Sequence, residues 1–203
     1  MQGNKKEKKE LNIKITYEHG LLDPFYAANG LEIAEDEPVS TDTIKSWVIM
    51  KDDMFKDALG DSDSESGCRS DAEHGAPNAE ASSSSDDPLK AAVEAGTSID
   101  SVTENIMGAC TLAFREGEYI IDGIALAPES RGSGAGSALL AAAETEVRAR
   151  GGERVYLVAR APEFFRANGY ETIARGDAPE FFECFGCDQY NRSCFPEVMK
   201  HVL

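Results

Sequence analysis

The first stretch of the chain with a clear apolar–polar pattern is residues 11–17, LNIKITY. There Leu11, Ile13, Ile15 and Tyr17 fall on one face of an extended chain, which predicts a strand. Residues 23–28 suit a short helix or turn that Gly30 ends, and residues 44–51 (IKSWVIMK) read as a second strand. Residues 88–95 fit a short helix. Two strands follow at 106–115 and 119–126, joined by a tight turn centred on Gly117. A helix is expected over 136–150, where Glu144 and Arg148, and Glu146 and Arg150, stand four residues apart and Gly151–Gly152 end the run. Residues 154–159 (RVYLVA) read as a short buried strand. Pro162 then suits the first turn of a helix and Gly169 its C-terminal cap. A final strand is expected near residues 171–174. The order predicts an α/β chain with a mixed sheet and no internal repeats.

The most informative junction lies between the strand at 119–126 and the long helix. An apolar run with Ile120, Ile121 and Ile124 leads through Pro128 into the turn Arg131, Gly132, Ser133, Gly134, Ala135, Gly136, Ser137. Glycines let a backbone bend sharply and present consecutive N–H groups, and a helix start adds unpaired donors and the positive end of a dipole. Together they suit a phosphate or pyrophosphate. A Walker-type loop is excluded, because no Lys occurs between Arg131 and Arg150. A dinucleotide fold is disfavoured, because the glycines are spaced GxGxG and no acidic residue closes a second strand about 20 residues on. What remains is RxxGxG, carried by Arg131, Gly134 and Gly136 and followed by SALL.

That motif resembles the acetyl-CoA pyrophosphate loop, [Q/R]xxGx[G/A], of the GCN5-related N-acetyltransferase (GNAT) superfamily. The segment APEFFRANGY is similar to the same family's AxxFYxxxGF helix, matched by Ala161, Phe164, Phe165, Gly169 and Tyr170. The resemblance covers residues 105–173. It implies a GNAT fold, an α/β fold whose mixed central sheet has splayed parallel strands flanked by helices, and acetyl-CoA as acyl donor. It also implies that the backbones of Ile124, Ala125 and Leu126 hydrogen-bond the pantetheine, with the N–H groups of Arg131 to Ser137 on the pyrophosphate. Two positions depart from the pattern. Phe165 stands where the family often has a Tyr that protonates the leaving thiolate, and Val158 stands where it often has an Asn.

Amide formation needs a neutral amine and a protonated leaving thiol, so a carboxylate near the splay is wanted as base. Asp122 is the first candidate, with Glu118 and Glu163 behind it; the alternative for Asp122 is a strand-face or bulge residue with a backbone partner. Tyr170 or Tyr190 could replace Phe165 as acid, the alternative for each being a core or rim tyrosine.

Composition refines this picture. The 203 residues, 41% of them hydrophobic, are consistent with one domain over 1–203. The N-terminus is charged with no apolar run after it, and no stretch approaches the ~18 apolar residues of a membrane span, so a cytoplasmic protein without a membrane partner is expected. The net charge is −17, of which residues 61–87 supply −7. That stretch holds eight acidic and eight Ser residues and no Leu, Ile, Val, Met or aromatic, which predicts a disordered acidic insertion at about 57–88. The charge argues against nucleic acid and is compatible with a cationic amine. A Cys-containing tail spans 180–203. Cys184 and Cys187 form a CxxC, with Cys194 and His201 beyond, so structural zinc is possible but not favoured over reduced thiols. Cys68 and Cys110 are not obvious ligands. The tail also resembles the CxxC…C ending of small bacterial acetyltransferases related to N-acetylglutamate synthases.

The expected function is acetyl-CoA-dependent N-acylation of a small-molecule amine, by a possible homodimer. Two alternatives stay open: a catalytically silent acyl-CoA-binding or regulatory module, motivated by Phe165, and glutamate-type amino-acid acetylation, resting on the tail.

Overall fold

The computed structural model describes residues 11–31, 41–51, 87–180 and 188–203. Its elements are β1 (Ile13–Thr16), α1 (Asp23–Ala28), β2 (Thr41–Met50), α2 (Pro88–Glu94), α3 (Ile99–Asn105), β3 (Ile106–Arg115), β4 (Glu118–Leu126), α4 (Ala135–Ala149), β5 (Arg154–Ala159), α5 (Pro162–Ala167), β6 (Glu171–Thr172) and β7 (Glu197–Val202). The seven strands form one sheet in the order β1-β2-β3-β4-β5-β7-β6. All neighbours are antiparallel except β4 and β5, which run parallel. The architecture is the mixed α/β layer expected from the sequence.

Local chemistry explains the central hairpin and the long helix. Glu116 and Gly117 both have positive φ, 52° and 84°, as the two-residue turn matching the twist of β3 and β4 requires. Helix α4 buries Leu139, Leu140, Ala143 and Val147 along one stripe. That stripe packs with Trp47, Ile49, Leu112, Ile121, Leu157, Phe165 and Met199 on one face of the sheet. The opposite face carries α1, α2 and α3 over Val48, Met50, Ile106, Ala109 and Ala125. The expected helix pairs form along α4, at 3.8 Å for Arg148 with the buried Glu144 and 2.7 Å for Arg150–Glu146.

Helix α1 is fixed over β4 by Tyr26. Its hydroxyl lies 2.7 Å from Thr111 Oγ1, which in turn lies 2.8 Å from Ser46 Oγ. Its ring covers Gly123 so closely that a Cβ there would stand 3.0 Å from it. Only glycine lets the helix approach.

Several expectations are corrected. In β1, Ile15 and Tyr17 are 41% and 47% exposed while Thr16 is fully buried. The edge strand leaves its apolar end uncovered, and Thr16 turns inward to donate to Asp87 at 2.9 Å. The final strand is not at 171–174: β6 has two residues, and β7, from the tail, enters the sheet between β5 and β6. Helix α3 was not expected at all.

Residues 52–86, and with them most of the expected acidic insertion, lie outside the described residues. Its expected end does not belong to it. Asp87 is buried and caps α2, accepting from the N–H groups of Leu89 and Lys90 at 3.0 and 3.3 Å and from Tyr17 N–H at 2.7 Å. Pro88 is buried as the first helical residue. One carboxylate thus joins β1 to α2. Asp87→Ala removes a cap and strands buried donors, and is expected to cost about 2–4 kcal/mol. The check is the midpoint of urea unfolding at unchanged slope.

Candidate active site

Strands β4 and β5 pair only at Tyr119–Val155 and Ile120–Tyr156. Beyond those rungs β4 continues to Leu126 and β5 to Ala159 without pairing to each other, so the parallel pair splays. A bulge in β4 helps to open it. Opposite β3, Leu112 faces Ile121 and Thr111 faces Gly123, which makes Asp122 the extra residue of a β-bulge. The bulge resets the alternation, so Ile121 points to the α4 face and Gly123 to the α1 face.

A cavity of about 650 Å³ occupies the gap and passes through the sheet. Gly132, Gly134, Gly136, Ser137, Phe164 and Phe165 line it at the α4–α5 end. Asn29 and Leu31, just after α1, line it at the other, with Asp122, Ile124, Ala125, Leu126, Val158 and Arg160 on the walls.

The α4 end is built for an anion. Gly134 sits at φ 89° and Gly132 at φ 76°, a left-handed backbone that a side chain would strain. Gly136 is required for a different reason: a Cβ there would stand 3.0 Å from the Phe164 ring. Within the turn, Arg131 N–H donates to Pro128 O and Ser133 N–H to Ser130 O. Ala135 N–H donates to Ser133 Oγ at 3.3 Å. Among the described residues that leaves the N–H groups of Gly132, Gly134, Gly136 and Ser137 without an internal partner, and all four residues line the cavity. Arg131 adds a guanidinium, donating to Leu126 O at 3.4 Å. Donors, helix dipole and cation converge on one end, where they fit a pyrophosphate. Ser133 and Ala135 are off the wall; the first ties the turn together by donating to Ser130 O at 2.7 Å, and the second is buried in the core.

The structure divides the remaining candidates. Asp122 reaches the cavity and accepts from Arg115 Nη2 at 3.4 Å. Arg115 is buried on the α1 side, with its other donors on Thr41 Oγ1 and Glu180 O. Asp122 is therefore both the bulge residue and a cavity carboxylate, and one of its partners is the Arg115 side chain. Glu118 and Glu163 are paired with Arg154 and Arg166, at 2.7 and 2.6 Å, and are off the wall. Tyr190 is off it as well, bridged to Cys194.

Tyr170 is not brought to the cavity. It is 3% exposed and packed edge-on against Phe165, and among the described residues its buried hydroxyl makes no hydrogen bond of normal geometry, with the Glu144 carboxylate nearby. Burial, and then the neighbouring Glu144 carboxylate, push that hydroxyl well above the ordinary tyrosine value, which suits a core residue and not a proton donor. Tyr170→Phe is accordingly expected to leave turnover unchanged and stability equal or higher, since among the described residues the lost hydroxyl makes no hydrogen bond of normal geometry. Steady-state rates and a melting temperature check both, and an alkaline fall in kcat that vanishes in this variant would reinstate Tyr170.

Sequence reading missed Asn29, Leu31 and Arg160 on the wall, and Arg115 behind Asp122. The positive-φ Gly30 flags the first two as a turn but not as a wall. Nothing in the local pattern flags Arg160. His201 is engaged by Glu144 at 3.1 Å and stacks beside Tyr170. Cys184 and Cys187 lie outside the described residues, among which no metal-ligating cluster of three occurs. No helix of the described residues is long and apolar enough to cross a membrane.

Comparison with known proteins bears on the same region. No match was found among curated proteins. A Klebsiella pneumoniae protein described as an acyl-CoA N-acyltransferase shares the fold over 97% of this chain and 99% of its own, at 14% identity and a TM-score of 0.50. An acetyltransferase from Bacillus cereus is 20% identical over 49% of this chain and 65% of its own, with a TM-score of 0.40. A Bacillus anthracis protein described as a streptothricin acetyltransferase, solved with acetyl coenzyme A, is 17% identical over 49% and 57%, also at 0.40. The chain thus spans less than two thirds of the two Bacillus proteins. The model of the acetyltransferase (GNAT) family matches residues 65–170, just over half of the chain and inclusive of the bulged strand, the glycine turn and the FF helix. With that match over the segment that builds the splayed cleft and its glycine turn, the chain belongs to the GNAT acetyltransferase family.

Proposed function

We propose that the protein transfers an acetyl group from acetyl-CoA to the amine of a small molecule. The observation that carries the reading is the cavity through the sheet, with an anion cradle at one end and a carboxylate, Asp122, on the other face. Acetyl-CoA supplies the acyl group: the amine nitrogen forms the new C–N bond as the C–S bond breaks, CoA leaves as the thiol, and the ammonium form of the acceptor releases a net proton.

The chain's own residues have separable tasks. The N–H groups of Gly132, Gly134, Gly136 and Ser137 and the Arg131 guanidinium hold the pyrophosphate. Exposed backbone groups of Ile124, Ala125 and Leu126, left unpaired with β5 by the splay, hydrogen-bond the pantetheine as an added strand would. Phe164 and Phe165 keep water from the α5 side. Asp122 takes the proton from the acceptor ammonium, directly or through one water, and Arg115 fixes its direction. Phe165 has no proton to give, so the departing sulfur takes its proton from solvent and CoA is released as the thiol.

That same Phe165 motivates a second reading, an acyl-CoA-binding module without turnover. A panel of small amines with acetyl-CoA, read as free thiol released, separates the two. Turnover of any amine above the rate of acetyl-CoA hydrolysis establishes the first; CoA binding without turnover establishes the second.

A further inference from the structure

The chain is strongly acidic, and its arginines outside the cleft are mostly neutralised in place. Arg148, Arg150, Arg154, Arg166 and Arg175 each lie within 3.8 Å of a glutamate. Two arginines of the cavity wall differ, for among the described residues neither Arg131 nor Arg160 has a carboxylate partner. Arg131 belongs to the anion cradle. Arg160 follows the last residue of β5, turns away from the α4 face and donates through Nη1 to Gly30 O, in the segment after α1. It therefore stands at the end of the cavity opposite the cradle, on the side where Arg115 holds Asp122. A guanidinium has five N–H donors in a planar fork, and a single backbone carbonyl leaves most of that fork for a planar anion.

An acceptor that is only an amine needs the carboxylate at this end and gains nothing from the guanidinium, which repels a second ammonium. An acceptor that carries both an ammonium and a carboxylate uses both groups. We infer that Arg160 is the acceptor-recognition residue and that the acceptor is an amine bearing a carboxylate, of the amino-acid class. The inference rests on the acetyl-transfer reading for its chemistry, and adds no step to it. Asn29 and Leu31 bound the space left for the acceptor side chain, one polar and one apolar.

The test uses the full chain and the twenty common amino acids, each beside its α-carboxamide, which keeps the amine and removes the anion. Thiol release is measured with acetyl-CoA, and binding of each compound is measured by calorimetry with CoA present. The expected result is a preference for an amino acid over its amide by about 10–100-fold in KM or Kd, the range of one charge-assisted contact. Arg160→Gln should abolish that preference and Arg160→Lys should restore part of it, while CoA affinity stays at the wild-type value in both. Amides bound as well as acids, a preference that survives Arg160→Gln, or loss of CoA affinity in that variant would each overturn the inference. Arg160-dependent binding of an amino acid without any thiol release would uphold it and overturn acetyl transfer instead, so the two readings fail separately.

Discussion

Gly134→Asp is expected to raise the Kd for CoA by about 5- to 10³-fold without unfolding the protein. Gly134 is the residue before α4 and holds φ 89°, and a Cβ there would meet nothing within 4 Å. The fold therefore has room for the side chain, and the local penalty is the left-handed backbone, about 1–2 kcal/mol. The larger effect is electrostatic. A carboxylate would stand among the four N–H donors meant for pyrophosphate and repel it by about 1–4 kcal/mol, depending on how much water remains. Each 1.4 kcal/mol is about a factor of ten in Kd. Gly134→Asn separates the two effects, because Asn tolerates the left-handed region and carries no charge. Calorimetry should show Asn near wild type and Asp far weaker. Equal CoA binding by Gly134→Asp at an unchanged melting temperature would remove the cradle assignment.

Asp122→Asn is expected to lower kcat by about 10²–10⁴-fold at neutral pH, the range of one acid–base group. The amide keeps an oxygen for Arg115, which donates to Asp122 at 3.4 Å, so the buried guanidinium is not left without an acceptor and the bulge should persist. What the variant loses is the ability to take a proton. The decisive readout is the pH profile. If Asp122 deprotonates the acceptor, the variant should recover as pH approaches the pKa of the amine, because the neutral nucleophile then forms without help. A rate deficit of constant size across that range would assign Asp122 to positioning and not to proton transfer.

How much of this was legible beforehand depends on whether the signal was local. The glycine turn, the hairpin at Gly117 and the strand Arg154–Ala159 rest on turn chemistry and on apolar runs, both of which are local, and they were found at their places. Strand β7 was not, because it is covered on both faces: Val198 and Met199 are adjacent and both buried, which erases the alternation that marks a strand. Helix α3 buries only Val102 and shows no helical period. Asp87 read as one more charge in an acidic run, yet it is buried because two donors from Thr16 and Tyr17, far away in the chain, join two from the first turn of α2. The anion end of the site was legible because a glycine motif is contiguous. The opposite end of the cavity was less so, because Asn29 and Arg160 join Asp122 on its lining only through the fold. Asp122 was found as a carboxylate near the splay, whereas Arg160 owes its place to a contact with a segment 130 positions away.

The insertion of β7 beside β5 also sets a timing problem for synthesis. One wall of the cleft is β5, and its outer edge is paired by a strand that leaves the ribosome about 40 residues later, or about 2–8 seconds at ordinary elongation rates. During that interval the backbone N–H and C=O groups of β5 form an open template for any extended chain nearby. Slow translation through residues 160–196 should therefore lower soluble yield more than the same delay placed before β5. Supplying residues 197–202 as a separate peptide to a chain truncated before them should compete for that same edge.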